Sequence, residues 1–398
     1  MSNIQGIRRR TWAEIDLDMA KLNFSAVKKA VGRKVKICCV IKANAYGHGA
    51  VTMARFYEQM GADYLAVSNI EEALQLREKS ISTPILILGY TPEECAGILA
   101  SYNITQTVYS YEYGKKLASV AERLGVTVKI HIKIDTGMGR IGFLCRNKEE
   151  NELDKVALIC KEANLEAEGV FTHLAVADEN TDGDLFTKEQ LDSFDYALKT
   201  LKQNGREFAI RHTANSAAIF DHPESHYDMV RAGIVLYGLK PSEKMRSLPT
   251  LYPVMTLKSV ISHVKDIEPG DTVSYGRTFL ANRRTTVATV PIGYADGLWR
   301  VNGMNDCYML VKDRYSPIIG RICMDQLMLD VSENDCCVGD VVTVFGNDKL
   351  CSADAIARRN GTINYEIVCA IGERVPRAFI SEGQIQFWQD SIYKEDLN

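Results

Sequence analysis

Four short segments carry side chains that could do chemistry. In the first, a lysine ends an apolar run: Val40-Ile41-Lys42-Ala43-Asn44-Ala45-Tyr46-Gly47-His48-Gly49. Lysine is rarely buried, because leaving water penalises its charge. The same penalty frees the amine to act as a nucleophile or to form a Schiff base. The second is His131-Ile132-Lys133-Ile134-Asp135-Thr136-Gly137-Met138-Gly139-Arg140. Strand alternation puts His131, Lys133 and Asp135 on one face, and the glycines let the loop approach a ligand closely. The third, His212-Thr213-Ala214-Asn215-Ser216, ends in a serine that can cap a helix or join backbone N–H groups around a phosphate. The fourth, Val230-Arg231-Ala232-Gly233-Ile234, sets an arginine inside an apolar run, where it needs an internal partner.

These segments must be held by the runs that precede them. Eight apolar runs alternate with amphipathic stretches: Ile37–Ile41, Tyr64–Val67, Ile85–Leu88, Ile104–Tyr109, Val128–Ile134, Gly169–Phe171, Phe208–Ile210 and Met229–Leu236. Continuous apolar runs suit parallel strands buried on both faces. Val51–Met60 and Lys188–Gln203 have helical periodicity, the latter through Leu191, Phe194, Leu198 and Leu201. The pattern predicts an α/β chain with an N-terminal (β/α)8 barrel, and a doubly wound open sheet is the alternative. Past Pro241 the helical periods stop. Thr256–Lys265, Thr285–Val290, Ser316–Val331 and Val341–Phe345 read as strands between turns. The expected organisation is a barrel over 12–241 and a mostly-β domain over 242–388, with 1–11 packing on the latter. Trp12–Leu17 precedes the strand count and is a candidate to join that domain.

In a barrel the active site lies at the C-terminal ends of the strands, where Lys42, Asp135, His173 and Ser216 all fall. Barrel phosphate sites commonly use the loops after strands seven and eight, where Ser216 and Gly233 sit. A strand-end lysine with a phosphate site fits pyridoxal phosphate. It fits equally an aldolase that forms a Schiff base with a phosphorylated sugar.

Composition narrows the setting. The chain has 398 residues, 46% hydrophobic and 25% charged, with a formal net charge of −4, which gives no sign of a nucleic-acid partner. Arg8, Arg9 and Arg10 form a short basic run read as a solvated arm. No apolar stretch is long enough to span a membrane, and residues 1–11 lack the apolar core of a secretory signal. The 11 cysteines are scattered without a C-x-x-C pair, as expected of reduced thiols in a cytoplasmic protein. His222 and His226 have ligand-like spacing, but Pro223 lies between them and no third ligand is near, so no metal is expected.

Taken together, the segments resemble the alanine racemase family. The resemblance runs through the Lys42–Gly49 segment, Asp135–Arg140, Asn215-Ser216 and Arg231–Ile234. It continues through Ser274-Tyr275-Gly276, Pro291–Gly297, Gly320–Gln326 and Thr362–Glu366. It covers residues 11–380, and in this order and spacing the motifs are highly specific. The resemblance implies a barrel followed by a β domain, with racemisation of L- and D-alanine using pyridoxal 5'-phosphate. It also implies a homodimer and a supply of D-alanine for peptidoglycan. Lys42 would carry the cofactor and act as one base. Tyr275, contributed across the dimer interface, would be the other. Arg231 would meet the pyridine nitrogen, with His173 in the hydrogen-bond chain behind Arg231 and Tyr275. Tyr46, Ser216, Gly233, Ile234 and Tyr365 would hold the phosphate. Arg140 and Met324 would meet the substrate carboxylate, with Asp325 close by. Lys133 would be carbamylated, as in several relatives. Tyr365, where serine-preferring relatives tend to carry Asn, favours alanine; a serine or broad-specificity racemase is the alternative. A decarboxylase of the same fold type is disfavoured by Arg231, because decarboxylation wants an acidic partner at the pyridine. A non-catalytic pyridoxal-phosphate carrier is disfavoured by the β domain and Tyr275.

Overall fold

The computed structural model describes residues 9–392. They divide into two compact units. One comprises Lys21–Ala45 and Ala50–Leu251; the other comprises residues 9–20, Tyr46–Gly49 and residues 252–392.

After β1 (Thr11–Asp16), which belongs to the second unit, the first unit lays down eight parallel strands with helices between them. They are β2 (Lys36–Val40), β3 (Tyr64–Val67), β4 (Ile85–Ile87), β5 (Ile104–Val108) and β6 (Val128–Asp135). A two-residue β7 (Phe143–Leu144) pairs beside the end of β6, and β8 (Leu165–Phe171), β9 (Ile210–His212) and β10 (Met229–Ala232) complete the set. Neighbours in the sheet run β10-β2-β3-β4-β5-β6-β8-β9. Hydrogen bonds from Asp228 N to Arg211 O (3.0 Å) and from Arg231 N to Ala214 O (2.9 Å) bring β10 against β9 and nearly close the ring. The unit is therefore a barrel, and the open-sheet alternative falls. β3, β4 and β5 are buried along their whole length; β3 and β4 read as continuous apolar runs for that reason, whereas β5 buries Thr105, Gln106 and Thr107 between its apolar ends.

The helices follow their local signals. Tyr111–Leu124 starts where Ser110 accepts a hydrogen bond from Tyr113 N, and stops at Gly125 with φ of 65°. The helix Thr181–Gln203 buries Leu191, Phe194, Ala197 and Leu201 on one face. It begins before the predicted Lys188, because its first two turns carry little apolar periodicity. The eighth run needs a correction. Met229–Leu236 is not one strand: β10 ends at Ala232, and Ile234–Tyr237 form a buried 3-10 turn. A short apolar run buried on all sides does not announce its period.

The second unit is built on a seven-stranded sheet. Its members are β1, β11 (Met255–Val260), β16 (Tyr308–Val311), β17 (Arg314–Pro317), β19 (Val341–Phe345), β20 (Arg377–Ser381) and β21 (Gln384–Gln389). Strand β1 lies near its middle, antiparallel to β11 and parallel to β20, with Ala13 and Ile15 fully buried. A three-stranded sheet, β12 (His263–Ile267), β15 (Thr285–Val290) and β18 (Leu327–Asp330), and a hairpin, β13 (Thr272–Val273) with β14 (Phe279–Leu280), complete the strands. Two helices that the sequence pattern did not reveal, Ala353–Asn360 and Asn364–Cys369, also belong here.

Arg9 and Arg10 are not a solvated arm. Arg9 pairs with Asp390 and lies over the Trp388 ring, and Arg10 pairs with Asp296 at 2.6 Å. Arg8, like the rest of 1–8, lies outside the described residues. His222 and His226 flank the 3-10 turn Pro223–Ser225. No helix among the described residues is long and apolar enough to cross a membrane.

The piece Tyr46–Gly49 is held by a buried arginine. Arg377 donates twice to the Gly47 carbonyl, at 3.0 and 2.8 Å, and also to the carbonyls of Ile371, Gly372 and Val375. Gly47 has φ of +83°, and a Cβ there would lie 2.2 Å from the Val368 carbonyl oxygen. Gly47→Ala is therefore expected to lower stability by about 2 kcal/mol or more, read as a fall in the urea midpoint.

Candidate active site

Lys42 follows β2 and opens a turn of unusual hand. Ala43, Asn44, Ala45 and Tyr46 all have φ between 52° and 54°, so four consecutive non-glycine residues wind left-handed. Each such residue costs roughly 1–2 kcal/mol, so the turn stores about 4–8 kcal/mol. Side chains and neighbouring backbone hold it in place. Asn44 Oδ1 accepts from Ala50 N at 2.7 Å, where the helix Ala50–Gln59 begins. The carboxylate of Glu72 accepts from Ala43 N and Ser68 N, each at 2.7 Å. The turn carries the chain sharply away from the strand and leaves Lys42 at its end.

Arg231 projects from β10 into the barrel and is only 4% exposed. Its Nη1 donates to His212 Nδ1 (2.8 Å) and His212 O (3.1 Å). Its Nη2 donates to Thr172 O (2.8 Å), Thr213 O (2.9 Å) and His173 Nδ1 (3.3 Å). Burial lowers its pKa to about 10, which still leaves it charged at neutral pH. His212 is absent from the motif-based site, yet it is the closest side-chain partner of Arg231. Its ring also stacks on Phe171 at 4.7 Å and meets His131 Nδ1 at 2.9 Å. Its position directly after an apolar run was the available signal.

The other barrel residues converge on this arginine. Lys133 is 3% exposed. Burial, then the charges of Arg140 and Arg231, lower its pKa to about 7, with Asp135 opposing and Lys42 adding to the fall. His173 is held neutral by burial and then by Arg231, Arg140, Lys133 and Lys42. Lys42, Lys133, Arg140, His173 and Arg231 thus share one electropositive region, suited to anions. Asp135 spends one oxygen on the amides of Gly137 and Gly139, both at 3.0 Å, and so shapes the loop leading to Arg140. Gln190, on the helix Thr181–Gln203, ties Thr136, the His173 carbonyl and Ala175 N together. Ser216 Oγ accepts from Gly233 N at 2.9 Å, beside the 3-10 turn that starts at Ile234. A hydroxyl and the first amides of a turn make an anion cradle.

In the second unit, Tyr46 and Tyr365 face each other with ring centroids 6.0 Å apart. Burial and then Tyr365 push the Tyr46 phenol far above its ordinary pKa, so it remains a hydrogen-bond donor. Tyr275 is 66% exposed. It sits in a tight turn between Ser274, at φ 68°, and Gly276, where a Cβ would meet the Arg321 guanidinium at 2.9 Å. Ser274 Oγ donates to Arg321 O at 2.6 Å. Met324 is exposed, and Asp325 is paired with Arg374 at 2.8 Å.

Residues 15–241 match the family model described as alanine racemase, N-terminal domain, and residues 254–379 match alanine racemase, C-terminal domain. The chain belongs to the alanine racemase family. Alanine racemase 2 of Caldanaerobacter subterraneus subsp. tengcongensis is 44% identical over 380 residues, which is 95% of this chain and 96% of that one. The alanine racemase of Methanococcus maripaludis is 44% identical over 93% of this chain and 98% of its own. Among solved structures, alanine racemase of Clostridium difficile 630 superposes with a TM-score of 0.90 at 41% identity, covering 96% of this chain and 99% of its own.

The Lys133 environment has a measurable consequence. With a folded pKa near 7 and an unfolded one near 10.5, the unfolded chain binds more protons between those values. Stability of the unmodified, cofactor-free protein should therefore rise between about pH 7 and pH 10 through this group. Lys133→Met should flatten that rise, as read from thermal midpoints across the window.

Proposed function

We propose that the protein interconverts L- and D-alanine with pyridoxal 5'-phosphate, passing the Cα proton between Lys42 on one face and Tyr275 on the other. The observation that carries this is the buried guanidinium of Arg231, sharing its electropositive region with Lys42, Lys133 and Arg140. Relatives support the substrate: the Bacillus anthracis alanine racemase, 36% identical, was solved with L-Ala-P, and the Clostridium difficile enzyme in complex with cycloserine.

The barrel's donor set fits the cofactor. A strand-end amine, a fixed cation and a hydroxyl–amide cradle answer an aldehyde, a ring nitrogen and a phosphate in turn. When bound, pyridoxal phosphate withdraws electrons from the carbon bearing the substrate amine and so acidifies its proton. Arg231, charged at neutral pH, would face the pyridine nitrogen and would leave it unprotonated. Ser216, Gly233 and Ile234 would hold the phosphate, and the neutral phenol of Tyr46 and its neighbour Tyr365 are candidates for further donors to it. Arg140 would take the substrate carboxylate, and Met324 and Asp325 are further candidates for that role. Lys42 serves as one base and Tyr275 as the other, so the substrate need not turn over. The exposure of Tyr275 supports its presentation to the site of a second subunit in a homodimer.

Lys133 is a further candidate for chemistry. A buried amine titrating near pH 7 is about half unprotonated at neutral pH, and that form can add carbon dioxide and release a proton to solvent, giving a carbamate. The product is an anion that would pair with Arg140. Plain lysine density in a crystal grown with bicarbonate would count against it.

The test supplies the cofactor-loaded protein with equimolar L-alanine and L-serine and follows the D-isomers by chiral chromatography. D-alanine should form fast and D-serine slowly. Tyr275→Phe should cut racemisation by roughly 10²-fold or more while leaving the cofactor's absorbance in place. Unchanged rates in that variant would remove Tyr275 from the mechanism.

A further inference from the structure

The hydrogen bonds behind Arg231 continue through the barrel and run in one direction. Arginine only donates, so His212 Nδ1 must accept and carries no proton. Burial holds His212 neutral, which leaves its single ring proton on Nε2. That proton points at His131 Nδ1, 2.9 Å away, so this nitrogen also accepts. The proton of His131 is then on Nε2, which has no hydrogen-bond partner closer than the Glu168 carboxylate, 3.6 Å away. Tyr64 donates its hydroxyl to the same Glu168 oxygen at 2.8 Å. A donor-only group stands at one end and an acceptor-only group at the other. Each imidazole between them is left with one permitted tautomer.

Strand β8 is shaped for this contact. The pairing of β6 with β8 passes from Ile130–Ala167 to His131–Gly169, so Glu168 is the extra residue of a β-bulge. Bulges re-aim side chains, and this one sets the Glu168 side chain against His131. The next residue, Gly169, leaves room for the ring: a Cβ there would lie 2.6–2.7 Å from three atoms of the His131 imidazole. Two consecutive residues of one strand are thus committed to His131, one through its charge and the other through its lack of a side chain.

We propose that Glu168, oriented by Tyr64, is the terminal acceptor of a one-way relay through His131 and His212 that fixes Arg231, making it a positioning residue for racemisation. The link to catalysis rests on the proposed function, because only there does Arg231 meet the cofactor. Without an acceptor at residue 168, the Nε2 proton of His131 is stranded. Moving it to Nδ1 would set it head-on against the Nε2 proton of His212, so neither tautomer is satisfied and the ring loses its single preferred state. The conflict is passed along to Arg231.

The experiment uses the cofactor-loaded protein, selectively 15N-labelled at histidine, with signals assigned by single histidine substitutions. The parent should show His131 and His212 each protonated on Nε2 alone. Glu168→Leu should lose that state at His131 and lower kcat for alanine about tenfold or more, with less effect on KM. Glu168→Gln keeps an acceptor oxygen and should restore the tautomers and most of kcat. Parent spectra with His212 protonated on Nδ1, or His131 protonated on both nitrogens, would overturn the relay whether or not the leucine variant folds. So would parent-like spectra and rate in Glu168→Leu, or a glutamine variant as impaired as the leucine one. A parent with the expected tautomers that makes no D-alanine would instead sink the proposed function and leave the relay standing.

Discussion

A cation sealed inside a barrel must be met on every side, and the way Arg231 is met organises the C-terminal ends of the strands in the first unit. Three backbone carbonyls and two ring nitrogens take its hydrogens. Burying a charge without such partners would cost several kcal/mol. The carbonyls come from Thr172, His212 and Thr213, so the ends of β8 and β9 are turned inward by the arginine itself. The charge then governs its neighbours. It helps keep His173 and His212 neutral and lowers the proton affinity of Lys133.

The second unit uses the same device for another purpose. Arg377 is also buried and also spends itself on carbonyls, those of Gly47, Ile371, Gly372 and Val375. There it fastens a four-residue excursion of the chain, Tyr46–Gly49, next to the turn that carries Lys42. Both arginines act through the backbone, which fixes main-chain geometry more firmly than a contact between two flexible side chains.

Much of the barrel was legible because burial on both faces writes a strand as an unbroken apolar run. Tyr64–Val67 is recovered residue for residue, and Thr285–Val290 likewise in the second unit. Where polar residues enter a strand the signal breaks. Strand β8 begins at Leu165, but Glu166 and Glu168 interrupt its apolar character, and only Gly169–Phe171 stood out. The helix Ala353–Asn360 carries a Ser352 cap and a Gly361 stop, yet it is short and ends in two arginines and an asparagine. Its periodicity was too weak to separate it from the strands around it. Of the candidate site, Lys42 and Ser216 were readable from their places at run ends and Arg231 from its place inside one, whereas Arg140 came only through the resemblance. The roles of His212 and Glu168 were not, because they depend on cross-strand register and on a bulge, which no local pattern encodes.

The left-handed turn after β2 has a different kind of consequence. Its stored 4–8 kcal/mol rivals the 5–15 kcal/mol by which whole domains are stable. Glycine at Ala43 or Ala45 would remove strain, but it would also free the backbone that aims Lys42. Residue choice there is pinned between two opposed demands. The same balance makes this segment the natural place for the fold to yield first, so local opening should begin there. Whatever bonds to Lys42 would then act as a brace, closing by chemistry a segment that the fold alone holds under load.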